Sequence, residues 1–302
     1  MIKGAIKLLD ELFRPAALAV IGASEKVGKV GRVVLENILN SGYRGTVYPV
    51  NPAYGEVFSL KCYPSVSDLP EAPELAMIII PAESVQGVIE ECGARGVKAA
   101  VIISAGFKES GVEGYRRETV LRQTAERLGI EVLGPNCLGI ADTSTPLNAT
   151  FATSSPLPGR VAFMSQSGAL GTAMLGWSEE NHLGFSRFIS LGNKMDLNES
   201  DMLEALEHDV NTSVIAAYLE GISEGERFLE VTARVSRSKP VIIYKAGVTQ
   251  AGARAVSSHT GTLAGSENAY AAAFRKSGAL RANRVEDPVS YTHLTLPTIY
   301  SV

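Results

Sequence analysis

Cysteine is scarce in this 302-residue sequence: Cys62, Cys92 and Cys137 are the only three, and they lie far apart. That odd, scattered set builds neither a disulfide framework nor a metal-ligand spacing, so the thiols read as reduced, as in a cytoplasm. Positive charge is not in excess either; the net charge is −4, which leaves no basic field to attract nucleic acid or an anionic membrane. Long hydrophobic runs are missing, because the longest apolar stretches are strand-length and cannot span a bilayer. Near the start, Ile2, Ile6, Leu9 and Phe13 have helical spacing, but Asp10 and Glu11 interrupt any signal-peptide core. Histidine is absent from the first half, the first of four being His182, and the phosphate-binding pattern GxxxxGK[ST] does not occur. With 45% hydrophobic and 20% charged residues, what remains is a cytoplasmic globular protein of two domains of about 150 residues each.

What is present is alternation. Short apolar runs at 18–24, 46–51, 75–80, 99–106 and 130–136 are separated by amphipathic stretches near 29–41, 84–96 and 115–129. Fully apolar strands with helical crossovers imply a parallel sheet covered on both faces. Residues 1–145 are therefore expected to form a Rossmann-like domain. A Thr/Ser/Pro-rich stretch, 146–159, reads as a linker. The pattern restarts with strands at 160–168, 185–193, 212–221 and 239–247 and helices near 199–208, 224–237 and 267–277, an open flavodoxin-like domain over 160–287. The last segment, 288–302, lacks helical period and reads as a non-native tail on a truncated frame.

Chemistry concentrates at the ends of the apolar runs. Gly22, Ala23 and Ser24 follow the first strand, with Gly28 and Gly31 where the next helix begins; such a turn brings backbone amides toward a diphosphate. The spacing is not G-x-G-x-x-G, and the second strand ends in Val50, Asn51 and Pro52 without the acid that NAD ribose requires. A nucleotide other than NAD fits better. Ser104, Ala105 and Gly106, and then Asn136 and Cys137, close strands facing the same crevice. Cys137 has no histidine in its domain to activate it and reads as a packing or ligand-contact thiol. In the second half, Ser165, Gln166, Ser167 and Gly168 open a helix, as a phosphate site or as simple capping. His259 stands in SSHTGTLAGS with Gly261 beside it; small hydroxyl residues leave room around an imidazole and supply donors to a phosphoryl group on it. His182, His208 and His293 read as surface residues.

Taken in order, GAS, GPNCLGI, SQSGALG, LGNKMD, YLEGI and SSHTGTLAGS closely resemble the α part of nucleoside-diphosphate-forming acyl-CoA synthetases, the succinyl-CoA synthetase superfamily, from about residue 10 to 287. The resemblance implies that the first domain binds coenzyme A through residues 22–24, Asn51, Pro52, 104–106, Asn136 and Cys137. It implies that His259 is phosphorylated, that residues 165–168 hold the phosphate, and that Glu220 orients the imidazole. The reaction implied interconverts acyl-CoA, NDP and phosphate with carboxylic acid, CoA and NTP. Mg²⁺ would accompany ADP or ATP on an ATP-grasp β subunit or fused domain absent from this sequence, so an oligomer is expected and the chain alone would not turn over. Two alternatives stay open: a CoA-sensing regulatory module of a fused lysine acetyltransferase, and an NAD-dependent dehydrogenase.

Overall fold

Every side chain of Ala17–Ile21, strand β1, is buried. A strand without a polar alternate position needs apolar cover on both faces and partners at both edges. The computed structural model, which describes residues 10–247 and 267–283, supplies both. β1 runs parallel to β2 (Thr46–Val50) on one side and to β5 (Leu75–Ile78) on the other; β6 (Ala99–Ile102) and β7 (Glu131–Leu133) extend the sheet in the order β2-β1-β5-β6-β7. Between β2 and β5 lies a small antiparallel pair, β3 (Glu56–Val57) and β4 (Leu60–Lys61). Helix α1 (Val30–Asn40) follows β1, α2 (Ala82–Arg95) follows β5, and α3 (Val112–Leu128) precedes β7. The strand order reverses between β1 and β5, so the loops after these two strands diverge and open a crevice at their carboxyl ends. The strands stop at Ile78 and Ile102, short of the apolar runs; the backbone turns while its side chains stay apolar.

The second sheet has seven strands; with Gly139–Asp142 as β8 and Leu147–Thr150 as β9 at one edge, their order is β14-β13-β12-β10-β11-β8-β9. Its central part is parallel: β10 (Leu157–Ser165), β11 (Gly184–Ser190), β12 (Val214–Leu219), β13 (Val241–Lys245) and β14 (Leu280–Arg281). Helices α4 (Gly168–Glu180), α5 (Glu199–Glu207), α6 (Gly225–Val235) and α7 (Glu267–Ser277) accompany it. The architecture is the expected one, a Rossmann-like unit followed by a flavodoxin-like one.

The junction departs from expectation. Gly139–Asp142 (β8), read as the end of the first domain, pairs antiparallel with β11, and Leu147–Thr150 (β9), read as linker, pairs with β8. Composition misleads here because the hydroxyls and amides bond locally: Asp142 Oδ1 accepts from the Ser144 amide at 2.7 Å, and Thr150 Oγ1 donates to Asn148 Oδ1 at 2.8 Å. Arg187 of β11, fully buried, pairs through Nε with Asp142 at 2.9 Å and also with Asp209. Such a desolvated cluster is costly to break by removing one partner, and it fastens β8 to the sheet. Helix α1 lies against β9, and Asn37 Nδ2 donates to the carbonyls of Thr150 and Ala152 at 2.8 and 2.9 Å. One hydrophobic core accordingly runs through both units, from Leu18 and Leu35 to Ile215 and Phe228; each such side chain contributes about 1.5–3 kcal/mol on burial.

Candidate functional site

A cavity of about 1190 Å³ is lined from both units, larger than the roughly 300–1,000 Å³ that suits a drug-sized ligand. Of the residues singled out by sequence, Gly22, Ser24, Asn51, Pro52, Ser104, Ala105, Asn136, Cys137, Gln166, Ser167, Gly168 and Glu220 line it. Ala23, Gly28 and Gly106 belong to the same loops, and Ser165 ends strand β10 (Leu157–Ser165), but none of the four lines it. His259 and Gly261 lie outside the described residues.

The first glycine turn is set by close chain packing. Gly22 has φ +93°, and a Cβ there would sit 2.1 Å from the Ile79 carbonyl; a Cβ on Gly31 would sit 2.0 Å from the Gly22 carbonyl. Close chain packing requires both glycines. The Gly22 amide already donates to the Val50 carbonyl at 2.9 Å, and the first turn of α1 offers further amides to an anion. That turn has no side-chain cap and no acid, and Lys29, Val30 and Gly31 border the cavity. Uncapped helix N–H groups and the helix dipole suit an anion such as a diphosphate.

Neutral polar groups fix the neighbouring loops. Asn51 Nδ2 donates to the Ala23 carbonyl at 2.8 Å while Oδ1 accepts from the Ala53 amide at 2.9 Å. Ser104 Oγ donates to the Ile80 carbonyl at 2.6 Å and accepts from the Ile80 amide at 3.1 Å. These side chains tie loop to loop, leaving the cleft wall shaped before any ligand arrives. Asn136 takes φ +57° in the left-handed region, a conformation Asn tolerates. Burial pushes the Cys137 thiol up to about 12, so it carries essentially no thiolate at neutral pH and serves as packing at the cleft floor.

At the other end, the sequence left Ser165 to Gly168 open between capping and phosphate binding. Ser167 is the N-cap of α4, its Oγ accepting from the Leu170 amide at 3.3 Å. Ser165 Oγ accepts from the Ser167 amide at 3.2 Å. Gln166 Oε1 accepts from the amides of Glu220 and Gly221 at 2.9 and 3.1 Å, joining the end of β10 to the end of β12. The Glu220 residue is 8% exposed. Both α1 and α4 thus start at one cavity.

Sequence reasoning missed the segment between these ends. Gly192, Asn193 and Lys194 line the cavity from the loop after β11. Asn193 Nδ2 donates to Glu109 Oε2 at 2.6 Å and to Glu118 Oε2 at 2.8 Å, and its carbonyl accepts from Lys108. Burial works against the Glu109 charge, but Asn193 and the amides of Gly106 and Phe107 hold its carboxyl below the ordinary range. The signal was present in LGNKMD, which drew attention as a resemblance without any role for its residues. His182 is exposed, and His208 caps the C-terminal end of α5, half-exposed. Among the described residues, no group of three His, Cys, Asp or Glu is arranged for a metal, and no helix is long and apolar enough to cross a membrane.

A profile for a CoA binding domain matches residues 16–143, and one for a succinyl-CoA ligase like flavodoxin domain matches 158–295. The "Acetate--CoA ligase [ADP-forming] I" of Archaeoglobus fulgidus is 50% identical over 288 residues, spanning 95% of this chain and 42% of that protein. The "Acetate--CoA ligase [ADP-forming] I subunit alpha" of Pyrococcus furiosus is 47% identical over 278 residues, 91% of this chain and 60% of that subunit. Among solved structures, the dinucleotide forming acetyl-coenzyme A synthetase 1 of Ca. Korarchaeum cryptofilum, in complex with phosphate and ADP, superposes with a TM-score of 0.91 at 48% identity, covering 94% of this chain and 61% of that one. The chain thus spans about half the length of the relatives it matches.

Proposed function

Because the chain belongs to the ADP-forming acyl-CoA synthetases of the succinyl-CoA ligase superfamily, we propose that it is the CoA-binding, phosphohistidine-carrying part of such an enzyme, acting on acetate or another small acid. The single observation that carries this reading is the cavity joining the α1 start to the α4 start. It offers CoA a neutral, pre-shaped wall and offers phosphate a second helix N-terminus beside Glu220.

In this reading, CoA lies along residues 22–24, Asn51, Pro52 and 104–106, with its diphosphate at the first turn of α1 and its thiol end toward Asn136 and Cys137. Inorganic phosphate at residues 166–168 attacks the acyl carbonyl; the C–S bond breaks, leaving acyl phosphate and free CoA. His259 then attacks phosphorus, forming an N–P bond as the acyl O–P bond breaks, and a carboxylate departs. The helix dipole and amides of α4 offset the phosphoryl charge. Glu220 accepts a hydrogen bond from the far imidazole nitrogen, which fixes the tautomer and raises the basicity of the attacking one. The phosphohistidine donates to ADP on an ATP-grasp part, a β subunit or a fused domain, where Mg²⁺ accompanies the nucleotide.

The experiment is phosphoryl labelling from ATP in the presence of that part and Mg²⁺. The expected product is an acid-labile, base-stable phosphate on this chain, absent from His259→Ala. Full labelling of His259→Ala would refute the assignment. Calorimetry with CoA and with reduced nicotinamide dinucleotide separates this reading from a dehydrogenase: heat is expected from CoA alone.

A further inference from the structure

The backbone from the Glu220 amide to the Gly221 carbonyl is held by three side chains, each from a different strand end or the loop after it. Gln166, after β10, accepts from the amides of Glu220 and Gly221. Lys245, the last residue of β13, donates to the Glu220 carbonyl at 2.8 Å. Lys194, after β11, donates to the Gly221 carbonyl at 2.8 Å. The third is the unusual one. Lys194 adopts φ +56°, which non-glycine residues seldom do. Its side chain is 5% exposed and pairs with Glu199, 0% exposed, at 2.8 Å. Glu199 completes the link: its other oxygen accepts from the Ser223 amide at 2.7 Å.

A buried ion pair on a left-handed residue is a poor choice for stability alone, since desolvation opposes the pairing and the backbone opposes the turn. Burial pulls the Lys194 ammonium below its ordinary range, while Glu199 and, further off, Glu220 pull the other way. What the pair accomplishes is geometric: it anchors residues 221 and 223, and therefore the direction in which Glu220 leaves its strand. Asn193, next in the chain, is bound to the CoA-side residues Glu109 and Glu118, so the anchor is referenced to the first unit as well.

We propose that Lys194, braced by Glu199, is a positioning residue for Glu220, acting on phosphoryl transfer to His259 through the backbone that carries Glu220. The inference rests on the role proposed for Glu220, and its test separates the two. In the complex with the nucleotide-binding part, Lys194→Met is expected to slow His259 phosphorylation about tenfold at unchanged KM for ATP, with the CoA Kd within about threefold. In the Glu220→Gln background the same change is expected to slow it less than twofold further, because residues acting through one another are not additive. Lys194→Arg, which keeps the charge, is expected to restore part of the rate. Glu199→Gln, nearly isosteric, reproduces the signature more weakly and serves should Lys194→Met fail to fold. A slowed Glu220→Gln with an unaltered Lys194→Met overturns this inference alone. So does a full tenfold further loss in the double variant, which would make Lys194 independent of Glu220. An unaltered Glu220→Gln overturns both readings.

Discussion

The two halves of the cleft are made of different materials. On the first-domain side, the wall is glycine packed against backbone, with Asn51 and Ser104 exchanging neutral hydrogen bonds between loops; the charged Lys29 is exposed, and Lys108 and Glu109 are half-buried. On the second-domain side, Lys194, Glu199, Glu220 and Lys245 are buried together. The difference teaches a division of labour. A wall that must recognise a long ligand is best shaped by backbone, which has nothing to reorganise. A site where charge moves between atoms needs fixed charges in a low-dielectric setting, at the cost of desolvating them.

Four perturbations break or sharpen that contrast. The largest belongs to the neutral wall: Gly22→Ala forces a Cβ into the Ile79 carbonyl at a positive φ and should cost about 3 kcal/mol or more, read as a lower Tm together with lost CoA binding by calorimetry. On the charged wall, Glu220→Gln should slow His259 phosphorylation on the order of 10²-fold while the CoA Kd and Tm stay close to the parent values; parallel loss of CoA binding would show that the halves are not separable. Ser167→Ala removes the α4 cap and should cost about 1 kcal/mol, a Tm shift of roughly 2–4 °C, with phosphate affinity reduced and CoA affinity kept. The smallest effect is at Cys137. With its thiol pushed up to about 12, only about one molecule in 10⁴ is ionised at pH 8, so iodoacetamide should leave it unmodified in the folded chain and react after denaturation.

Much of this arrangement is legible from the residues. The strand-to-helix turns that carry Gly22 and Ser167 follow from apolar runs ending in small polar residues, and the absence of an acid at position 51, which is Asn51, points away from NAD. Glu220 was legible only through resemblance, because a single acid after a strand has no distinguishing pattern. Lys194 and Asn193 were hidden for a related reason: their partners lie up to 85 positions distant in sequence, and no periodicity reports such pairs. The strand β9 was misread because serine and threonine look alike whether their hydroxyls face water or bond to their own backbone.

The β8–β9 hairpin bears on how such proteins can be cut and rejoined. Its residues come directly after the first sheet in sequence, yet they form the edge of the second. Severing the chain in the interval 146–159 would leave β11 without its outer neighbours and the buried Arg187 without Asp142. A naked edge strand invites pairing with other chains, so such a piece should aggregate. Recombination that exchanges whole units has its natural crossover ahead of Gly139, where the backbone passes from one sheet to the other.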